Sequence, residues 1–188
     1  MSDRSLLLAR HAETDWNRFG RWQGTTDVPL NEAGLEQARA LGARLAGRGL
    51  RLVASSDLGR ARQTAEIVAL ALGLAQPLLE PGLRERGYGA FEGLTRAECE
   101  VRHPVAWQAF CEGREPPGAE LRAEVGRRMV ETVTRLAGAH EGLLVVSHGG
   151  AMRAFFDLAT AVKVPPITNV AVYEVRLAGA RFLAPRLV

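Results

Sequence analysis

The sequence predicts an α/β fold, a three-layer α/β/α sandwich on a mainly parallel sheet, in one domain over residues 1–188. Three observations lead there. Short continuous apolar runs at 6–9, 52–54 and 143–146 have the length of strands buried on both faces. Stretches with helical apolar spacing alternate with them, as in a sheet covered by helices on both sides. The 188 residues, 47% apolar and 24% charged, can bury ~70% of the unfolded surface and are too apolar for disorder.

The first strand is Leu6, Leu7, Leu8 and Ala9, and the polar loop after it is punctuated by Gly20, Gly24 and Pro29. A helix over 31–46 aligns Leu35, Ala38, Leu41 and Leu45. Leu52, Val53 and Ala54 make the second strand, and Ser56 or Asp57 caps the next helix, with Ala61, Ala65, Val68 and Leu72 inward. Residues 77–80 form a third strand, placed towards an edge by Pro77. Residues 94–117 are irregular or short-helical, broken by Pro104, Pro116 and Pro117. A long helix over 118–136 aligns Leu121, Val125, Met129, Val133 and Leu136. The strand at 143–146 leads through Gly149 and Gly150 into another helix, and 171–188 reads as two strands joined near Gly179.

Composition narrows the function. The net charge is +3, Lys163 is the only lysine, and the arginines are scattered. Arginine suits bidentate binding of phosphate, but no run of aromatics and cations suggests a nucleic-acid surface, so small anionic substrates are preferred. The early apolar run is too short for a signal-peptide core or a membrane span. The expected location is therefore cytoplasmic, with Cys99 and Cys111 as free thiols in a reducing compartment.

Three strands end in chemistry-bearing residues. The first ends in Arg10 and His11, the second in Ser55 and Ser56 ahead of Arg60, the fourth in Ser147 and His148 followed by Gly149 and Gly150. Ligands of open α/β sheets bind beyond the carboxyl ends of strands, so these groups are expected to converge. Two guanidiniums can clamp a phosphoryl group, a neutral imidazole can attack it, and a backbone N–H at a helix start can approach it. The leaving alkoxide then needs an acid, for which Glu85 and Glu92 are both candidates.

The stretch from Arg10 to Asn17, Arg-His-Ala-Glu-Thr-Asp-Trp-Asn, resembles the Arg-His-Gly signature of the histidine phosphatase superfamily, in its phosphoglycerate mutase-like branch. Four further motifs follow in the family's order: Gln23-Gly24 with Asp27 to Gly34, Ser56 to Ala65, Glu85 to Gly93, and Ser147 to Gly150. The resemblance implies His11 as nucleophile, with Arg10, Arg60 and His148 holding the phosphoryl group. It implies Asn17, Gln23, Gly24 and Gly149 in substrate binding, and Glu85 rather than Glu92 as proton donor. Ala12 stands where glycine is usual, which requires a negative φ there.

The implied activity is phosphomonoester hydrolysis through phosphohistidine, on a small phosphorylated metabolite, ribazole-phosphate and broad-range phosphatases being the nearest in kind. No cofactor, metal, nucleic acid or membrane partner belongs to this reading, and a homodimer is left open. A phosphoglycerate mutase is the alternative. Against it, only 26 residues separate Gly93 from Glu120, with Arg96, Arg102 and Arg114 but no adjacent arginine pair. An inactive phospho-ligand scaffold ranks last, because His11, Arg60, Glu85 and His148 are all present. His103 and His140 read as exposed or capping, Arg62 as a surface or lip cation, and Arg84 and Arg86 as solvated or ion-paired. Tyr88, Phe91, Trp107 and Phe110 read equally as pocket or core.

Overall fold

The computed structural model describes residues 4–179 and 181–188. Its sheet runs in the order β3-β2-β4-β1-β5-β6: β1 is Arg4–Arg10, β2 Leu52–Ser55, β3 Leu78–Leu79, β4 Leu143–Ser147, β5 Val172–Ala178 and β6 Arg181–Phe182. A seventh strand, β7 at Arg186–Leu187, also pairs with β5. β3, β2, β4 and β1 are parallel neighbours, whereas β5 is antiparallel to β1. The sheet is thus mixed, parallel through its centre with an antiparallel border. The chain end, read as two strands, forms three: β5 of seven residues and two of two residues each.

The apolar runs are continuous because alternate residues serve two cores. Leu6, Leu8, Leu143 and Val145 enter one cluster, Leu7, Ala9, Leu144 and Val146 the other. The second cluster is covered by α2 (Glu32–Leu45) and α3 (Gly59–Ala71), through Leu41, Leu45, Ala65 and Val68. The first is covered by α6 (Arg122–Ala139) and α7 (Gly149–Thr160), through Val125, Met129, Phe155 and Phe156. A short α1 (Asp15–Arg18) follows β1, and α4 (Arg96–Arg102) and α5 (Pro104–Cys111) occupy the irregular segment. Among the described residues no helix is long and apolar enough to cross a membrane. Both cysteines are free thiols, Cys99 buried and Cys111 exposed.

Two boundaries differ from the sequence reading. The long helix starts at Arg122, not 118, and Leu121 is exposed. The reason is tertiary: Glu120 is held outside the helix by its N–H to Gly87 O at 3.0 Å and its carbonyl to Arg86 Nε at 2.9 Å. Neither Ser56 nor Asp57 caps α3, whose N-cap position is Leu58. Ser56 Oγ accepts from Leu58 N–H instead, and Asp57 pairs with Arg84 at 2.5 Å. The first helical N–H, of Gly59, donates to Asp27 Oδ1 at 2.8 Å, a cap delivered from a distant loop.

Candidate active site

The site lies where adjacent parallel strands send their helices to opposite faces. β1 leads to α2 on one side and β4 to α7 on the other, which opens a crevice at their carboxyl ends. The register pairs Arg10 with Ser147, so the next residues, His11 and His148, stand side by side. Their ring centroids are 5.1 Å apart and both rings are buried. Arg60 reaches the same place from the first turn of α3 and is fully buried.

The loop after β1 is tightly held. Ala12, whose φ is not positive, donates its N–H to Thr64 Oγ1 at 3.0 Å, and Asn169 Nδ2 donates to the His11 carbonyl at 3.0 Å. His11 Nδ1 lies 2.7 Å from the Ala12 carbonyl. A carbonyl can only accept, so Nδ1 carries the proton and the Nε2 lone pair is unclaimed. Burial first, then the charges of Arg10 and Arg60, push His11 well below the ordinary histidine value. Burial, then Arg60 and His11, do the same to His148. Both rings are therefore neutral at neutral pH.

A cavity of about 220 Å³ opens here, lined by Arg10, His11, Asn17, Gln23, Gly24, Arg60, Glu85 and Gly149 among others. Around it, buried polar atoms lack partners among the described residues: Arg10 Nε, Arg60 Nε, Gln23 Oε1, Trp22 Nε1 and both nitrogens of His148. Of these, Arg10 Nε, Arg60 Nε, Trp22 Nε1 and one nitrogen of the neutral His148 ring are donors, a set that fits an anion with several acceptor oxygens. The guanidiniums are fixed by backbone carbonyls: Arg10 donates to Ile167 O at 2.6 Å, Arg60 to Gly24 O and Thr26 O at 2.8 and 2.9 Å. Burial lowers both below the ordinary arginine value, from so high a start that both stay cationic.

The two glutamates separate. Glu85 lines the cavity, and its carboxylate accepts from the N–H groups of Arg86, Gly150 and Ala151 at 2.8, 2.9 and 2.7 Å. Gly150 permits this approach: a Cβ there would lie 2.6 Å from both Glu85 Oε1 and Tyr88 Oη. Glu92 instead ties two loops together, accepting from Thr25 N–H, Thr26 N–H and Oγ1, and Tyr88 N–H. Burial works to raise its pKa, but the hydrogen bonds from Thr26, Thr25 and Tyr88 together outweigh that and hold it below the ordinary value. Gly24 is required at φ +54 beside this carboxylate, since a Cβ would fall 1.9 Å from Glu92 Oε1.

The aromatics divide likewise. Phe91 is fully buried against Trp107 and Phe110, while Tyr88 and Trp22, 4.7 Å apart, line the cavity. Arg84 and Arg86 pair with Asp57 and Glu115, and Arg62 sits near Glu66 at 3.6 Å. Among the described residues no group of three or more His, Cys, Asp or Glu is placed to hold a metal ion.

The sequence pattern of the histidine phosphatase superfamily (branch 1) matches residues 6–186. This chain belongs to that superfamily. It is 36% identical over 181 residues to phosphoglycerate mutase-like protein 4 of Arabidopsis thaliana, covering 92% of this chain and 79% of that protein. It is 35% identical over 187 residues to a metal-independent phosphoserine phosphatase of the same plant, covering 95% and 78%. In three dimensions it resembles a mycobacterial glucosyl-3-phosphoglycerate phosphatase in complex with VO3, with a TM-score of 0.86 and 29% identity over 98% of this chain and 97% of that one. Family, fold and phosphatase relatives make it a phosphomonoesterase, a hydrolase.

Three further residues of this histidine phosphatase were not singled out in the sequence. Asn169, in the loop before β5, bonds Asn17 Oδ1 at 3.2 Å as well as His11 O. Arg128 holds Glu120 through two bonds of 2.8 Å and reaches the carbonyls of Gly82, Arg84 and Glu85. Arg153 lines the cavity four residues beyond Gly149 on α7. That spacing, one turn along a helix, was the available clue for Arg153.

Proposed function

We propose that the enzyme moves the phosphoryl group of a small phosphomonoester to His11 and then to water. The observation that carries this reading is the His11 ring: buried, neutral, with Nε2 unclaimed, beside His148 and between two arginines. Nε2 attacks phosphorus in line; the P–N bond forms as the ester P–O bond breaks. Arg10, Arg60 and a ring N–H of His148 hold the equatorial oxygens. Asn17, Gln23 and the backbone at Gly24 and Gly149 hold the rest of the group.

Glu85 enters as the carboxylic acid and gives its proton to the leaving oxygen. The alcohol departs and water takes its place. The Glu85 carboxylate removes a proton from that water as its oxygen attacks phosphorus, the P–N bond breaks, and inorganic phosphate leaves. The arginines supply the positive charge, so neither metal nor organic cofactor enters the scheme. Two free thiols suit the reducing cytoplasm.

The mutase-like relative favours a second reading, in which phosphohistidine returns its group to a phosphoglycerate. Against it, the segment between Gly93 and Glu120, which lends Arg96 to the cavity wall, folds only into two short helices, α4 and α5, of 7 and 8 residues, meeting at His103 and Pro104. A mutase must exclude water from the charged histidine, and on this reading so short a segment makes no long covering helix. The deciding experiment is a rapid quench with radiolabelled substrate. It should trap an acid-labile, alkali-stable adduct that His11→Ala lacks, along with ~10³-fold or more of activity. A His11→Ala enzyme with near wild-type turnover sinks the mechanism. Interconversion of 3- and 2-phosphoglycerate, primed with 2,3-bisphosphoglycerate, faster than any phosphate release would make the enzyme a mutase.

A further inference from the structure

Arg10, His11 and Asn17 are all held from one place, the segment 167–171 that leads into β5. Arg10 puts its guanidinium on Ile167 O at 2.6 Å and its backbone N–H on Ala171 O at 3.1 Å, and its carbonyl accepts from Val170 N–H at 3.2 Å. Asn169 Nδ2 donates twice, to His11 O at 3.0 Å and to Asn17 Oδ1 at 3.2 Å. Ile167 belongs to the cavity lining and Asn169 stands outside it. The next residue, Val170, has φ +51, a left-handed conformation that a β-branched side chain adopts only under constraint. Its N–H is taken by Arg10 O, and its carbonyl accepts from Arg44 Nη2 at 2.6 Å. Its side chain packs against two hydrophobic clusters, one of them formed by Ala12, Leu30 and Ala38. The surroundings thus impose this corner against the residue's own preference.

The same network fixes which way Asn17 faces. A backbone N–H can only donate, and that of Thr14 lies 3.2 Å from the Asn17 atom that Asn169 meets. That atom is therefore the amide oxygen. Thr14 Oγ1 also lies 3.2 Å from it, which leaves Nδ2 as the end for the cavity that Asn17 lines. Asn17 itself sits on α1, a single turn of four residues with none buried, so packing does not hold it. The Thr14 bonds are local to that turn, whereas the Asn169 bond ties it to the His11 backbone. We propose that Asn169 is a positioning residue for phosphoryl transfer. It locks Asn17 with its donor end towards the phosphoryl group and in register with His11, and the corner at Val170 keeps the Asn169 amide within reach of both. It acts through these two residues and not on the leaving group. The inference rests on the phosphatase reading above.

The experiment removes the amide and reads binding and transfer apart from stability, well below the Tm of each variant. Asn169→Ala should lower kcat/KM about 10- to 100-fold, the cost of a misplacement on the order of 1 Å. The loss should be similar on p-nitrophenyl phosphate and on alkyl phosphates, because protonation of the leaving group is untouched. The Ki of inorganic phosphate should rise, as it should in Asn17→Ala. In an Asn17→Ala background the further loss from Asn169→Ala should be several-fold smaller, because part of its action runs through Asn17. Asn169→Asp keeps the shape but turns an acceptor on two acceptors, and should lose at least as much; it serves equally if the alanine variant does not fold. His11-dependent hydrolysis with kcat/KM and Ki unchanged in the Asn169 variants, whatever their Tm, overturns this inference and leaves the proposed function standing. Equal losses in the wild-type and Asn17→Ala backgrounds, the result for independent sites, also overturn it.

Discussion

At His11, burial and two guanidiniums act in the same direction, against protonation. The same holds at His148. Their folded-state pKa values lie below the unfolded value of about 6.5, so the unfolded chain binds protons that the folded one refuses. Stability is therefore full above the unfolded pKa and falls as pH drops below it. Unliganded enzyme should lose stability between about pH 7 and 5 with a slope approaching ~1.4 kcal/mol per pH unit for each histidine. Thermal melts over that range check this, and the slope should flatten in a His11→Asn, His148→Asn double variant. The glutamates give a second prediction. On the proposed course Glu85→Gln should slow alkyl phosphates by ~10²–10⁴-fold and aryl phosphates much less, since aryl leaving groups need little protonation. Glu92→Gln should lower Tm by loosening the 24–26 loop, with a smaller effect on kcat. Equal losses on both substrate classes in Glu85→Gln would argue against the acid role. A larger kinetic loss in Glu92→Gln would transfer that role.

The element that matters most to Glu85 is irregular: the segment between β3 and α4, which holds two 3-10 turns, Pro81–Leu83 and Gly89–Phe91. Such a segment cannot satisfy its own carbonyls, and three of them are taken by Arg128 from α6. Arg128 also holds Glu120, whose backbone in turn bonds Arg86 and Gly87. One side chain thus joins a regular helix to the loop that carries the carboxylate. Arg128→Met should cost about 2–4 kcal/mol by leaving these groups partly unpaired. It should also lower kcat on alkyl phosphates more than on aryl phosphates, because Glu85 loses its placement. Calorimetry and leaving-group comparison together separate the two effects. A fall in Tm with kcat unchanged would confine Arg128 to stability.

Across the whole molecule the site is a junction of three parallel strand ends with helices from both layers. An anion bound there bridges the two cores and stabilises the folded state by mass action. Inorganic phosphate at 100 times its Kd should add ~2.7 kcal/mol, and the rise in Tm should vanish in Arg60→Met. Both the rise and catalysis should survive exhaustive chelation and dialysis if, as proposed, Arg10 and Arg60 supply the positive charge. Activity lost on chelation and restored by one divalent cation would contradict this.

The strand runs, the two helical covers and the carboxyl-end placement of Arg10, His11, Arg60 and His148 were legible in the sequence, because they follow from local periodicity and one topological rule. The motif at Glu85 to Gly93 was legible too, but choosing between its two carboxylates on residues alone was not. That choice depends on which one meets the first turn of α7 and which one meets Thr25 and Thr26. The same limit explains the start of α6 and the cap of α3. Local propensity places a helix from 118 and a cap at Ser56 or Asp57, whereas Gly87, Arg86 and Asp27 claim the relevant backbone groups from 33, 34 and 32 positions away. Arg153 is no different from the other arginines as text. Only the tertiary structure, by giving Arg86, Arg114 and Arg122 their carboxylates, leaves Arg153 without one, because ion pairing is decided by distance in space and not along the chain.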